Sequence, residues 1–263
     1  MTRGYIYKGA NVIVTPYIGD RLVTKAYLGS YDLFPPYWYV NEYADWDASL
    51  TSRIVDEPSV PIKWYDRISS YLLNGTADTN PSWVSNGGGS YFTTVLNNYL
   101  STTFSLPSST SPYTFMLWVY VDSLVNEGIF QFGSANANTN IQMYTTNNRI
   151  TWAVLTGNTS RGGGDSTTLI STNTWYQVTM TFDGSNINGY INNALEDSSV
   201  LDTGFTYNLP TSSPLNLFYI DRASFPDYYG NNSRIASLRV WDYALDLKTI
   251  TEIFNYYKGN FGY

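Results

Sequence analysis

The chain contains no cysteine and no histidine in 263 residues. Without cysteine there is no disulfide framework and no thiolate metal site. Without histidine, Ser-His-Asp and Cys-His nucleophile systems and the usual zinc sites are excluded together. Charge is also scarce, since only 13% of residues are Asp, Glu, Lys or Arg and the net charge is -7. A chain this acidic is not built to neutralise phosphates, which argues against nucleic-acid binding. No segment approaches the roughly 18 consecutive apolar residues of a membrane span, so no membrane insertion is expected. The opening residues MTRGYIYKGANV hold no apolar stretch of signal-peptide length. The expectation is a soluble protein that would leave a cell by another route, such as assembly into a particle released by lysis. Carboxylate chemistry and oxygen-ligand cation binding remain open.

What the chain does have is aromatic residues, at 17%, with 25 tyrosines. Aromatic and β-branched side chains fit a pleated, half-buried surface, so strands are favoured. Few charges with many Asn, Ser, Thr and Gly suit a sandwich with long polar loops.

Residues 7–36 fall into three aligned decads, YKGANVIVTP, YIGDRLVTKA and YLGSYDLFPP. Tyr7, Tyr17 and Tyr27 are in register, as are Gly9, Gly19 and Gly29. Gly19-Asp20 and Gly29-Ser30 are hairpin-type turn pairs between apolar residues. Three such units are too small to bury a core alone. They are either the first strands of the main domain or an anchoring segment that docks onto a larger assembly. Pro35-Pro36 ends the meander. The division expected is 1–38 for the segment and 39–263 for the main domain.

Alternation governs the middle of the chain. Phe115, Leu117, Val119 and Val121 alternate with Met116, Trp118 and Tyr120, so both faces of this strand are apolar, as when a partner sheet covers one and loops or another subunit the other. Ile129 to Phe132 closes at Gly133, and a further strand, Arg149 to Val154, follows the Asn147-Asn148 turn. Trp175 to Phe182 runs into Asp183-Gly184. Near the end, Ile235, Leu238 and Val240 mark a last strand. Asp246 is the expected N-cap of a short helix. Ile250, Ile253, Phe254 and Tyr257 share one helix face, and Gly259 is the expected left-handed terminator.

The order Trp241-Asp242-Tyr243-Ala244-Leu245 before this helix resembles the end of LamG-like jelly-roll domains of the concanavalin A-like lectin/glucanase fold. Asp45-Trp46-Asp47-Ala48-Ser49 resembles the family's opening strand, and Trp64 to Ser69 its Trp-x-Asp-x-Ser segment. Asn74-Gly75-Thr76, Pro81-Ser82-Trp83 and Gly189 to Asn193 follow in the family's order. The resemblance covers most of the chain after Tyr39 and implies an all-β jelly-roll sandwich with one C-terminal helix. Where many relatives read Phe-Asp-Gly, this chain has Tyr91-Phe92-Thr93, so an Asp implied for a cation site is absent.

The fold includes glucanases, which place catalytic carboxylates on one strand as Glu-x-Asp-x-Glu. None of Glu42, Glu57, Glu127, Glu196 and Glu252 sits in such a pattern, and Asp45-Trp46-Asp47 has no third partner in sequence. The expectation is a protein that is not an enzyme. LamG-like domains often carry calcium on a loop rim, for which Asp165, Asp221, Asp227, Asn231 and Asn232 are the candidates; the same residues are also ordinary turn formers. Tyr144, Trp152, Tyr228 and Tyr229 are candidates for stacking on sugar faces, or else Trp152 is core and the tyrosines line a protein interface.

The decads look like short N-terminal segments of tailed-phage structural proteins. The resemblance implies a virion structural protein, a capsid decoration or head fibre, exposed on a particle assembled in the host cytoplasm. Residues 1–38 would hold capsid or tail proteins. The alternative is a tail-associated adhesin or carbohydrate-binding module recognising host-surface glycans. A homo-oligomer is expected, because identical subunits close symmetry readily and buried strand edges avoid aggregation.

Overall fold

A computed structural model describes residues 17–18, 21–22, 27–28, 31–32 and 42–263, apart from 51–52, 56–61, 69–70, 77–80, 87–88, 96, 107–111, 125, 135–138, 157–158, 203–211 and 223–225. The chain divides into two units, Met1–Asn41 and Glu42–Tyr263.

The first unit contains β1 (Tyr17–Ile18) paired with β2 (Arg21–Leu22), and β3 (Tyr27–Leu28) paired with β4 (Tyr31–Asp32). Ile18 stands opposite Arg21 and Leu28 opposite Tyr31, so each register encloses a two-residue connection. Tyr17 and Tyr27 each open a strand. Tyr7, Gly9, Gly19 and Gly29 lie outside the described residues.

The second unit begins with β5 (Ala44–Asp47), β6 (Ile54–Val55), β7 (Lys63–Tyr65), β8 (Leu72–Thr76), β9 (Ser82–Val84), β10 (Tyr91–Thr93) and β11 (Tyr99–Ser105). Then come β12 (Tyr113–Val121), β13 (Gly128–Phe132), β14 (Asn140–Thr146), β15 (Arg149–Thr156), β16 (Thr159–Gly162) and β17 (Thr174–Phe182). It ends with β18 (Asn186–Ile191), β19 (Ala194–Val200), β20 (Ser212–Leu217), β21 (Tyr219–Ile220), β22 (Tyr228–Tyr229), β23 (Arg234–Trp241) and α1 (Leu247–Tyr257).

Apart from β21 and β22, which form a two-stranded sheet of their own, these strands form two antiparallel sheets packed as a sandwich. The eight-stranded sheet runs β19-β18-β17-β12-β23-β10-β9, with β5 added against β23. β10 lies against Arg234 and Ile235, and β5 against Ser237 to Val240. The nine-stranded sheet runs β16-β15-β14-β13-β20-β11-β8-β7-β6.

Period-two alternation builds the core between them. From β12 come Phe115, Leu117 and Val119, from β17 Val178 and Met180, and from β23 Leu238 and Val240. The nine-stranded sheet answers with Phe130, Phe132, Ile141, Met143, Trp152, Leu215 and Leu217. Each such side chain contributes about 1.5–3 kcal/mol by leaving water.

On the other face of β12, Trp118 is covered by the chain's own C-terminal residues. The Trp118 ring stacks on Phe261 at 4.1 Å and on Phe254 at 5.8 Å. Helix α1 buries Ile250, Ile253, Phe254 and Tyr257, the face that the spacing marks. Asp246 caps it, accepting from the Thr249 N–H at 2.7 Å. Gly259 is not its left-handed terminator. The helix passes at Lys258 into a 3₁₀ turn, Lys258–Phe261, and the left-handed residue is Gly262, with φ 88°. The turn delivers Phe261 to Trp118, which delays the reversal by three residues.

Candidate functional site

Alternation also decides what the nine-stranded sheet shows on its outward face. On β14, Ile141 and Met143 enter the core, so Asn140, Gln142 and Tyr144 point away from it. Register sets Gln142 beside Gln131 of β13, Gln131 beside Asn216 of β20, and Asn216 beside Ser101 of β11. The result is a polar row across four strands. Gln142 Nε2 donates to Asn140 Oδ1 at 3.0 Å, and Ser101 Oγ to Asn216 Oδ1 at 2.7 Å. Asn140 is buried, and among the described residues its Nδ2 finds no hydrogen-bond acceptor. A buried amide without a partner is costly, and the row as a whole is a packed polar layer beneath the groups that stay exposed.

The β21–β22 hairpin sets aromatic rings beside this row. Gln131 holds it, donating from Nε2 to the Asp221 carbonyl at 3.1 Å and accepting from the Asp221 N–H at 2.8 Å. β22 comes so close to β13 that a Cβ on Gly128 would lie 2.6 Å from the Tyr228 carbonyl oxygen. Only glycine fits there. Asp227 braces the loop, accepting from the Arg222 N–H at 2.9 Å and the Tyr219 hydroxyl at 3.0 Å. Glu127 fixes the far end, accepting from the N–H groups of Asn231 at 2.7 Å and Ser123 at 3.1 Å. Burial pushes its carboxyl up.

Tyr228 thereby meets Tyr144, their ring centroids 5.4 Å apart. The Arg222 guanidinium lies 4.4 Å over the Tyr228 ring. Thr151, opposite Tyr144 in register, donates to Asp165 Oδ1 at 2.6 Å. Asp165 arrives through the glycine loop, where Gly163 has φ 96° and a Cβ would lie 2.2 Å from the Trp152 carbonyl. The Tyr144 hydroxyl is pushed up by burial first, then by Tyr228 and Asp165, against a lowering pull from Arg222. Tyr144 thus lies within electrostatic reach of Tyr228, Asp165 and Arg222. Both tyrosines are half-buried, with ring surface left for a ligand. The patch combines two aromatic faces, a guanidinium, a carboxylate and amides, which suits a ligand bearing both C–H faces and hydroxyls.

The remaining candidates separate. Trp152 is fully buried in the core and offers no face to a ligand. Its strand position alternates inward with Ile150 and Val154, which the sequence pattern already allowed. Tyr229 points to a different cluster, 4.9 Å from Tyr219, which stacks on Tyr99 at 4.5 Å. The Asp165 and Asp227 carboxylates accept hydrogen bonds from Thr151 and from Tyr219 and the Arg222 N–H, and Asn231 donates its backbone N–H to Glu127. Among the described residues, no group of three or more carboxylates is placed to hold a cation. Arg222, Gln131, Gln142 and Asn140 belong to the patch and were not singled out by sequence. The signal for the last two was the alternation Asn140-x-Gln142-x-Tyr144 in an otherwise apolar strand.

The carboxylates of Asp45-Trp46-Asp47 do have a third partner, Glu42, but they are neutralised. Arg239 lies 3.4 Å from Glu42, 3.2 Å from Asp45 and 3.0 Å from Asp47. Arg67 pairs with Glu42 at 2.5 Å and Asp45 at 2.7 Å. Burial, with Asp45 nearby, pushes the Glu42 carboxyl up to about 8, and burial also raises Asp45. The Tyr257 ring closes the cluster, 4.1 Å from the Arg239 guanidinium. With Arg239 and Asp45 buried, this arrangement holds β5, β23 and α1 together.

A family model described as the concanavalin A-like lectin/glucanases superfamily matches residues 86–251. No curated protein matches the chain in sequence. Among solved structures, domain 4 of AbnA, an extracellular arabinanase of Geobacillus stearothermophilus solved with arabinotriose, is similar at 16% identity and TM-score 0.59. The match covers 81% of this chain and 98% of that one. The botulinum neurotoxin serotype G binding domain is similar at 15% identity and TM-score 0.54, over 82% of this chain. The chain spans about half of that domain's length, 51%. A Trypanosoma rangeli sialidase matches at 13% identity and TM-score 0.57, over 85% of this chain and 34% of that one. At such identities the likeness is one of fold.

Proposed function

The chain belongs to the concanavalin A-like lectin/glucanases superfamily, and from that premise we propose that it is a non-catalytic, lectin-like binding protein of a phage particle. The sandwich recognises a surface glycan at the Tyr144–Tyr228 patch. The observation that carries this reading is the pairing of those two half-buried rings, at 5.4 Å, beside Arg222, Asp165 and a buried amide row. Aromatic faces meet the C–H face of a sugar, and Arg222 and Asp165 meet its hydroxyls. The likeness to an arabinanase domain solved with arabinotriose and to a toxin binding domain supports a binding role. The neutralised Glu42-Asp45-Asp47 cluster supports the absence of catalysis.

The N-terminal unit attaches the protein to the particle, as a capsid decoration or head fibre, and copies assemble there as a homo-oligomer. The three tyrosine-glycine decads, too small to fold alone, support this part.

A glycan array probed with the full chain tests the binding site. Binding to neutral oligosaccharides that is lost in Tyr144→Ala and Tyr228→Ala is the expected result. Silence across the array, with and without calcium, would remove the reading. Deleting residues 1–36 should prevent incorporation into particles while the sandwich still folds; normal incorporation would refute the attachment.

A further inference from the structure

The eight-stranded sheet carries a second aromatic cluster on its outward face. Arg234 of β23 stands in register between Thr93 of β10 and Tyr120 of β12, and Tyr120 stands opposite Trp175 of β17. The Arg234 guanidinium carbon lies 4.1 Å from the Tyr120 ring centroid and 4.8 Å from that of Tyr91, so rings reach it from the strands on both sides. Both tyrosines meet Trp175 edge-on, at 5.8 and 5.6 Å. The cluster is braced. The Tyr120 hydroxyl donates to Asn173 Oδ1 at 3.0 Å, and the Phe261 ring lies 4.9 Å from Trp175. All four side chains are half-buried, so each keeps a surface in solvent.

Arg234 also lacks a carboxylate partner among the described residues. Arg67, Arg161 and Arg239 are each paired with carboxylates. Among the described residues, no carboxylate lies within ion-pair distance of Arg234, and its guanidinium makes no hydrogen bond; its contacts are with rings alone. A guanidinium stacked on aromatic rings is held in position yet keeps its in-plane N–H donors free. Those donors form a fork that matches a carboxylate in bidentate fashion.

We propose that Arg234, Tyr91, Tyr120 and Trp175 form a second binding site, which takes a sugar bearing a carboxylate. The fork receives the carboxylate, and Trp175 with Tyr91 offers apolar faces to the sugar ring. A single cation on a chain of net charge -7 favours a ligand with one negative charge over a polyanion such as nucleic acid or an acidic peptide. At the first site, Arg222 shares its loop with Asp221 and Asp227 and its patch with Asp165, so a neutral sugar is the better match there. The inference rests on the proposed function only for the premise that this domain binds sugars. The two sites share no residue.

The test is titration of the full chain with 3′-sialyllactose and with a glucuronic acid-terminated disaccharide, against lactose and sodium acetate, followed by tryptophan fluorescence and ligand-observed NMR. At least one acidic sugar should bind about tenfold or more tighter than lactose, as expected for a charge-assisted hydrogen-bonded pair. Arg234→Gln should remove that advantage, Arg234→Lys should keep part of it, and Tyr144→Ala should leave it intact. An unchanged melting midpoint in Arg234→Gln would show that the fold is kept. Should that variant melt early, Trp175→Phe, which trims the ring face and spares the charge, should weaken the acidic sugar without restoring lactose to parity. Equal affinity for lactose and both acidic sugars, no saturable binding of either acid, or undiminished binding in Arg234→Gln would overturn the site. Acetate binding as tightly as the sugars would overturn its assignment to a sugar. If neutral glycans bind through Tyr144 and neither acid binds, the second site alone fails. If an acid binds through Arg234 and Tyr144→Ala changes nothing on the array, the first site alone fails.

Discussion

The two sheets of the sandwich obey one alternation rule and finish their outward faces differently. Much of the eight-stranded face is closed by the chain's own end, with α1 and Phe261 over Trp118 and the Tyr257 ring over a buried ion cluster. The nine-stranded face carries instead an amide row and a tyrosine pair held by a short hairpin. The covered region uses polar groups for internal pairing, and the other leaves polar groups and rings with unused capacity. In this fold, therefore, burial of charge marks structure, and half-burial of aromatic rings marks the surface that can bind.

The sharpest way to break this contrast is Arg239→Met. It removes the guanidinium that reaches Glu42, Asp45 and Asp47, leaving Asp47 without its ion-pair partner and the other two with Arg67 alone. Breaking a buried pair from one side costs about 3–5 kcal/mol, so chemical denaturation should show the largest loss of any single change considered. Glycan binding by the remaining folded protein should be unaltered, because no residue of the cluster touches the Tyr144 patch. A loss of binding without a loss of stability would invert the assignment.

The same cluster gives a pH dependence. Glu42 has its folded pKa raised from 4.5 to about 8, chiefly by burial, with Asp45 adding to it. The titratable and charged groups around it are Asp45, Asp47, Arg67 and Arg239, with the Tyr257 ring against the last. A raised folded pKa means that the folded state binds the proton more tightly. The stability it brings is fully present below pH 4.5 and is lost as pH rises through about 8. The midpoint of urea denaturation should therefore fall across that window, and Glu42→Gln should flatten the fall. A profile that is level in the native protein would show that the arginines already neutralise a fully ionised cluster. The proton belongs to the coupled carboxylates jointly, so the slope reports the cluster more than one residue.

A smaller change separates site from scaffold. Gly128→Ala sets a Cβ 2.6 Å from the Tyr228 carbonyl and 3.2 Å from the Ile220 nitrogen. Backbone must move, at about 1–3 kcal/mol. The hairpin is the part free to shift, so Tyr228 should leave Tyr144 and glycan affinity should drop while the sandwich persists. Circular dichroism and the glycan array together read this. Retained affinity would detach Tyr228 from the site.

How far the sequence foretold this molecule follows from the same physics. The core strands were legible because Phe115-Leu117-Val119 and Val178-Met180-Phe182 alternate without interruption, and because Asn147-Asn148 adopt the positive φ, 47° and 62°, that a tight hairpin requires. The N-cap Asp246 and the helix face were legible because both depend on neighbours in sequence. Gly259 was misread because the terminator is chosen by where Phe261 must reach, a tertiary demand. Of the site, Tyr144 and Tyr228 were visible as residues but not as partners. They are 84 positions apart, and only the close approach of β22 at Gly128 joins them. Trp152 was ambiguous for the opposite reason: its type suits a sugar site, and only its strand phase sends it inward. Arg222 and Arg234 carried no local pattern, since a guanidinium is defined by what surrounds it.

The smallest expected effect probes what keeps the eight-stranded face covered. Asp246 accepts from the Thr249 side chain and from the Thr249 N–H at 2.7 Å, and these bonds, the side-chain one foremost, draw its carboxyl below the usual range. Replacing an N-cap acid with alanine costs about 1 kcal/mol. In a domain of this size that is a fall in melting midpoint of about 2–4 °C. Because the folded pKa is depressed, the capping stability of the native protein is present above the ordinary Asp value and is lost as pH falls through the folded one. Asp246→Asn should restore most of the loss, since the amide oxygen caps as well, and should remove that acid-side dependence. The helix lies on Trp118, so fraying at its first turn should also raise the hydrogen exchange of the 247–250 amides well before the β12 amides respond. If both sets exchange together, the helix is not a separately removable cover but part of one cooperative unit with the sheet, and the two faces of the sandwich differ less than their surfaces suggest.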